Sequence, residues 1–267
     1  MLQGLRLLSL TLAVLAAALL LGLKRSDEPR LDCARVAGDA PYRLLIVGES
    51  WAAGGKFFPE LPQTVSQRLQ GRGVEACSLG FSGRNTRLLY YELRTKFPKE
   101  KLYDLFGGER PDKVILMTGV NDEIQHVGAP AYVEYNKKLT EYFSDADDVE
   151  LISVPRVNER HFKSPNLFSY FKRFIMRCLY NGCEFETNEV YRVALWRDHP
   201  ELHIIEYDDF IERYEGHEQC YTPDGVHLTD EWLHKYGTFI GNATALRSAG
   251  IQKRSATDPA SSMTRPL

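Results

Sequence analysis

The chain of 267 residues carries no Cys-x-x-Cys among its five cysteines, at positions 33, 77, 178, 183 and 220. Zinc ribbons and thioredoxin-like redox sites, which need paired thiols at that spacing, are therefore not expected. Neither charge is in excess: 33 basic residues face 36 acidic ones, for a net charge of −3. Lys and Arg are dispersed, so the basic stripe that marks a nucleic-acid partner is missing too. No internal repeat is present, which argues against a solenoid or propeller. The odd cysteine count leaves at least one thiol unpaired within a monomer. Cys178 and Cys183 are close enough to close a short loop in an oxidising compartment; five unpaired thiols is the alternative reading.

What is present divides the chain into four parts. Residues 7–23 are almost wholly aliphatic, interrupted only by Ser9, Thr11 and Gly22, and Lys24 and Arg25 follow. No face of that segment is polar, so it does not read as a buried soluble helix. Its length is near the lower limit for crossing a bilayer. No small-x-small cleavage site follows it, so residues 1–25 are expected to form a signal anchor, with a cleaved signal peptide as the alternative. Residues 26–41 are polar and Pro-bearing and read as a linker. Residues 250–267 are rich in Ser, Thr, Ala and Pro and read as a disordered tail.

Between them, residues 42–249 alternate short apolar runs with longer amphipathic ones. Strands are expected at 43–47, 74–79, 113–118, 150–154 and 202–206. The first, third and fourth are apolar on both faces, as strands covered by helices on both sides must be. Helices are expected at 61–70, 86–97, 131–143, 167–179, 189–196 and 229–249. This alternation predicts an α/β fold: a three-layer, doubly wound, flavodoxin-like parallel sheet of about five strands.

In such a sheet, reactive groups gather where strands end and loops begin. Four loops carry polar residues there. Gly48-Glu49-Ser50-Trp51 follows the first strand; Gly48 permits a tight turn, and Ser50 is exposed near a helix start. Gly80-Phe81-Ser82-Gly83-Arg84-Asn85 follows the second, and a glycine there leaves its N–H open to a substrate. Gly119-Val120-Asn121-Asp122 follows the third, and an Asn amide can donate to a developing oxyanion. Pro223-Asp224-Gly225-Val226-His227 precedes the last helix, and its spacing can bring the carboxylate to the imidazole. Each alone is better explained as a cap or a turn.

Taken together and in this order, the four blocks resemble those of the SGNH (GDSL-like) hydrolases, which supply Ser, Gly, Asn and His. The resemblance spans residues 42–249. It implies Ser50 as nucleophile, His227 as general base and Asp224 as its orienting partner. It also implies an oxyanion hole of the Ser50 and Gly83 N–H groups and the Asn121 side chain. Gly83 is preferred to Gly80 because Ser-Gly-Arg-Asn matches the pattern of carbohydrate acetylesterases in this class. One departure stands out: Glu49 occupies the place where the family usually has Asp. An α/β-hydrolase is disfavoured, because position 52 is Ala and Asp224 and His227 lie on one loop.

The implied activity is serine-dependent ester hydrolysis or acyl transfer, with no metal and no organic cofactor. A segment at 156–186 mixes cations with aromatics and is expected to overhang the site, with Trp51, Arg84, Asn158 and Arg160 as candidate sugar contacts. The expected substrate is an ester or acylated carbohydrate, with O-acetyl groups on an envelope or secreted polysaccharide favoured. A longer-chain lipase or thioesterase and a non-catalytic scaffold are the alternatives. Basic residues alone, with Arg6 before the apolar run and Lys24, Arg25 and Arg30 after it, would keep the domain in the cytoplasm. Export is nevertheless expected, because a leading apolar segment before a lone hydrolase domain usually serves it. The membrane is thus an expected partner through the N-terminal helix.

Overall fold

The strand register follows from where the apolar runs fall. The computed structural model describes residues 28–39, 41–53, 60–156, 187–212 and 217–248, with scattered positions between 171 and 179. In chain order these form β1 (Arg30–Val36), β2 (Tyr42–Gly48), α1 (Glu60–Arg68), β3 (Val74–Gly80), α2 (Thr86–Lys96), α3 (Lys99–Tyr103) and β4 (Lys113–Met117). Then come α4 (Val120–Gln125), α5 (Ala129–Tyr142), β5 (Asp148–Ile152), α6 (Asn188–Asp198), β6 (His203–Ile205), α7 (Tyr207–Ile211) and α8 (Asp230–Ser248).

The six strands form one sheet in the order β1-β3-β2-β4-β5-β6. β2 to β6 are parallel, and β1 runs antiparallel to β3. Alternate residues feed opposite faces. Leu44, Ile46, Ile115 and Met117 pack with Leu61 and Val65 of α1 and Tyr236 and Ile240 of α8. Leu45, Val47, Val114 and Leu116 pack on the other side with Leu89 of α2, Tyr132 of α5 and Tyr191 of α6. The result is the three-layer, doubly wound α/β arrangement expected, with all five anticipated strands present.

The sixth strand corrects the sequence reading. Arg30–Val36, placed above in a polar linker, is an edge strand exposed along most of its length. Strands at a sheet edge carry charge and lack the apolar signature of buried ones, and here Arg35 pairs with Glu75 across to β3. Cys33 lies opposite Cys77 in the register, and the two form a disulfide with Cα atoms 4.1 Å apart. Cys178 is also disulfide-bonded; Cys183 falls outside the described residues, while Cys220 is a buried free thiol.

The expected anchor at 1–25, the tail at 250–267 and most of the overhanging segment, with Asn158 and Arg160, also lie outside the described residues. Among those described, no helix is long and apolar enough to cross a membrane.

Polarity is concentrated at the two strand ends. At the N-terminal edge, Asp148, Glu150 and His203 converge closely enough to hold a cation. Lys113 supplies one: its Nζ lies 2.8 Å from Asp148 and 3.0 Å from Glu150. At the C-terminal edge, the chain leaves β2 for one side of the sheet and β4 for the other. That reversal opens a crevice between their carboxyl ends, where ligands bind in open α/β sheets.

Candidate active site

Ser50 sits in that crevice, two residues beyond the end of β2. Its turn is held by helix-like bonds from the Ala52 and Ala53 N–H groups to the Glu49 carbonyl, 3.0 and 3.2 Å. Two glycines make room for it. A Cβ on Gly48 would lie 2.3 Å from the Met117 carbonyl oxygen, and one on Gly80 would lie 2.1 Å from Ala53 backbone atoms. Gly80 is thus a packing glycine beneath the serine turn.

The Asp224–His227 loop reaches Ser50 from the opposite end of the chain. It is closed as a small hairpin: Tyr221 bridges Leu228, the Thr222 N–H donates to the His227 carbonyl at 2.7 Å, and Gly225 takes φ of +70°. Within it Asp224 Oδ1 accepts from Thr222 Oγ1, Val226 N and His227 N at 2.6, 2.8 and 3.0 Å. Its other oxygen, Oδ2, lies 2.7 Å from His227 Nδ1. His227 Nε2 lies 2.9 Å from Ser50 Oγ. Partial burial alone would raise the Asp224 pKa. The hydrogen bonds from His227, Thr222 and the two backbone N–H groups outweigh it and hold the carboxyl well below its usual range. An ionised Asp224 requires the proton on Nδ1, which leaves Nε2 free to accept from the serine hydroxyl.

The oxyanion candidates lie on the two neighbouring loops. Gly83 has φ of +71° with nothing within 4 Å of a would-be Cβ. The N–H groups of Ser50 and Gly83 have no acceptor among the described residues. Asn121, in the first turn of α4, is buried with its Nδ2 likewise unpartnered there. The loops are stitched together: Gln125 Nε2 donates to the Gly83 carbonyl at 3.0 Å, and Asn85 Nδ2 to Gln125 Oε1 at 2.9 Å. Asp122 Oδ2 accepts from Thr86 N and Oγ1 at 2.9 and 2.6 Å. Donors fixed before the reaction need no reorganisation when charge develops.

Two candidates are placed differently from expectation. Trp51 is 4% exposed. It stands edge-on to Tyr207 and Tyr236 with centroids 5.7 and 5.8 Å away, and its ring is 6.5 Å from that of His227. Most of the indole is packed within the aromatic cluster behind the imidazole, where a large ring at the sheet edge gains most from burial. Arg84 turns onto α2, where its Nε donates to Glu92 at 2.9 Å. Its guanidinium is thereby committed to a salt bridge that is largely covered.

Two buried acids under the oxyanion loops escaped the sequence reading as site components. Glu49, 1% exposed, accepts from the Val120 and Asn121 N–H groups at 2.7 and 2.6 Å. Burial, reinforced by nearby Asp122, pushes its pKa up, and the bonds from Asn121 and Val120 offset this only in part. Burial likewise lifts Asp122 from 3.8 to about 6, against the lowering by Thr86. A carboxyl raised in this way favours the folded state when protonated, so its contribution is lost as pH rises from about 4 to about 6. Asp122→Asn keeps the shape and removes the buried charge. It is expected to stabilise the fold by up to about 3 kcal/mol above pH 7 and by little at pH 4. Denaturant unfolding at the two pH values checks this.

No protein-family model matches the chain, and no curated protein matches it in sequence. Solved structures do match. The lipase/acylhydrolase from Enterococcus faecalis superposes with a TM-score of 0.53 at 17% identity, over 77% of this chain and 96% of that one. LAE5, an alpha/beta hydrolase enzyme from the metagenome of Lake Arreo, gives 0.51 at 18% identity, over 82% and 99%. A mutant of Axe2, an acetyl-xylooligosaccharide esterase from Geobacillus Stearmophilus, gives 0.51 at 16% identity, over 82% and 99%. The chain shares its fold with these acylhydrolases and esterases.

Proposed function

We propose that the protein is a serine-dependent esterase or acyltransferase that works through an acyl-enzyme on Ser50. The observation that carries this reading is the unbroken chain of short contacts from Asp224 through His227 to Ser50, 2.7 and 2.9 Å. Ser50 Oγ attacks the ester carbonyl as its proton passes to His227 Nε2. Asp224 steadies the imidazolium through Nδ1, and the carbonyl oxygen takes its charge among the Ser50 and Gly83 N–H groups and Asn121 Nδ2. The tetrahedral intermediate collapses, the leaving alcohol takes the proton from His227, and the acyl group stays on Ser50. Water or a sugar hydroxyl, deprotonated by His227, then releases it.

Short acyl groups fit best. The cavity beside the nucleophile turn is lined by Glu49, Trp51, Met117, Thr118, Val120, Ile152 and Pro155 among the described residues, and holds about 190 Å³ including its open side. Among the described residues it is a shallow, open hollow, whereas a long acyl chain needs a deep apolar channel. With the Axe2 likeness, this supports O-acetyl groups on an envelope or secreted polysaccharide as substrate. The apolar run at 7–23 and the Cys33–Cys77 disulfide together support an exported, membrane-anchored domain, since disulfides persist in oxidising compartments.

A fluorophosphonate probe is expected to label the wild-type protein and not Ser50→Ala; equal labelling of a folded Ser50→Ala would remove the enzyme reading. With p-nitrophenyl esters, kcat/KM for acetate is expected to exceed that for octanoate by at least about tenfold, because the longer chain must leave the cavity. Preference for octanoate would replace the acetyl assignment with a lipase or thioesterase. Product partitioning in the presence of oligosaccharide acceptors separates hydrolysis from transfer.

A further inference from the structure

We infer that Glu49 is a positioning residue for the oxyanion amide of Asn121, matched in length to this chain, so that aspartate cannot replace it. The inference deepens the proposed ester chemistry and rests on it.

Glu49 immediately precedes the nucleophile, yet its side chain leaves the Ser50 turn and crosses to the next loop. One carboxylate oxygen accepts from the Val120 N–H and the other from the Asn121 N–H, at 2.7 and 2.6 Å. Its own N–H donates to the Met117 carbonyl at 3.1 Å. The residue therefore joins the Ser50 turn to β4 through its backbone and to α4 through its side chain. Val120 and Asn121 open a helix, where N–H groups have no intrahelical acceptor, so the carboxylate answers two donors that would otherwise be buried and unpaired. Gly119 aims those donors: it has φ of +112°, and a Cβ there would come within 2.5 Å of Val154. On the far side, Thr86 holds Asp122, so Asn121 is fixed from both flanks.

Length decides the outcome of shortening the side chain. Removing one methylene withdraws the carboxylate by roughly 1.5 Å. Both contacts then exceed the roughly 3.2 Å reach of an N–H···O bond. Returning the position to the aspartate usual in such blocks should loosen the site.

The test is a cycle on the full chain with Glu49→Asp, Asn121→Ala and the double variant, read as kcat and KM with p-nitrophenyl acetate. Glu49→Asp is expected to lower kcat at least tenfold with KM within twofold. Asn121→Ala is expected to lower kcat about 10²- to 10³-fold, and the double variant no further. Wild-type turnover by Glu49→Asp, or losses that multiply in the double variant, would overturn the inference. Amide hydrogen exchange at Val120 and Asn121 reads the brace without turnover. Exchange at least tenfold faster in Glu49→Asp supports it, and unchanged exchange overturns it. Protected amides in a wild-type protein that hydrolyses no ester would count against the ester chemistry alone. If Glu49→Asp does not fold, Glu49→Gln, which can accept only one of the two bonds, serves in the same cycle with a smaller loss expected.

Discussion

Ser50→Ala is expected to lower kcat for p-nitrophenyl acetate by about six orders of magnitude, the scale seen when a triad nucleophile is removed. His227→Ala should cost about as much, and the double variant no more than either, because the serine and its base act as one unit. The remaining rate should still exceed that in water by about 10³- to 10⁴-fold, since the oxyanion donors and substrate binding survive. Both variants should fold normally. Ser50 and His227 lie at the sheet edge and contribute little to the two apolar layers. Asp224→Asn should fall between wild type and these variants. Its geometry can persist, but an amide no longer fixes the proton on Nδ1. Steady-state kinetics on folded protein checks the series, and additive losses in the double variant would mean that Ser50 and His227 do not share a step.

The legible parts of this molecule were those where one residue type has few alternatives. β2 and β4 are buried along almost their whole length and carry the apolar runs Leu44–Val47 and Val114–Met117, so they can be placed to within about two residues. The four loop motifs could be found because their glycines and polar residues stand at strand ends, where the fold has to present them. The triad geometry then needs only the topology to bring residues 50 and 227 together. β1 was illegible for a physical reason: an edge strand is selected for charge and exposure, and Arg30, Asp32 and Arg35 imitate a linker. The short α4 and α7 were missed because five or six residues hold too little periodicity to register. The packing of Trp51 and Arg84 was not legible, because nothing in a sequence tells an aromatic that stacks on sugar from one that packs behind an imidazole. The same holds for an arginine free for a ligand and one already paired, as with Glu92.

The sheet's two edges divide labour, which explains why polar burial is tolerated at both. At the carboxyl edge, burying Glu49 and Asp122 costs stability, as their raised pKa values record, while it orders the N–H groups of the loops beside Ser50. At the amino edge, on the far side of the sheet from Ser50, the buried charges balance among themselves. Lys113 does this as the first residue of β4: it is 1% exposed in its side chain and reaches Asp148 and Glu150, the latter fully buried. Its Nζ also approaches the Thr244 carbonyl of α8 at 3.4 Å, tying the last helix to the sheet.

Lys113→Ala is therefore expected to be among the most destabilising single substitutions in the domain, at about 3–5 kcal/mol. The loss is larger than that of a surface ion pair because it strips the countercharge from a carboxylate that water does not reach. Asp148, half covered, can turn to solvent; Glu150 cannot. Burial alone would raise Asp148, but Lys113 and His203 hold its pKa below the usual carboxylate range. A depressed carboxyl stabilises the fold above its unfolded pKa of about 4 and loses that contribution as pH falls through its folded value. Lys113→Ala should remove this acid-side loss. It should also make the variant relatively less destabilised near pH 4, where carboxyl groups in general begin to lose their charge, than at pH 8. Adding Glu150→Gln should recover much of the stability at pH 8, since the stranded charge is then gone. Guanidinium unfolding of the single and double variants at the two pH values measures each term. An equal loss at both, with no recovery in the double variant, would mean that packing of the lysine stem, and not charge, holds this edge together.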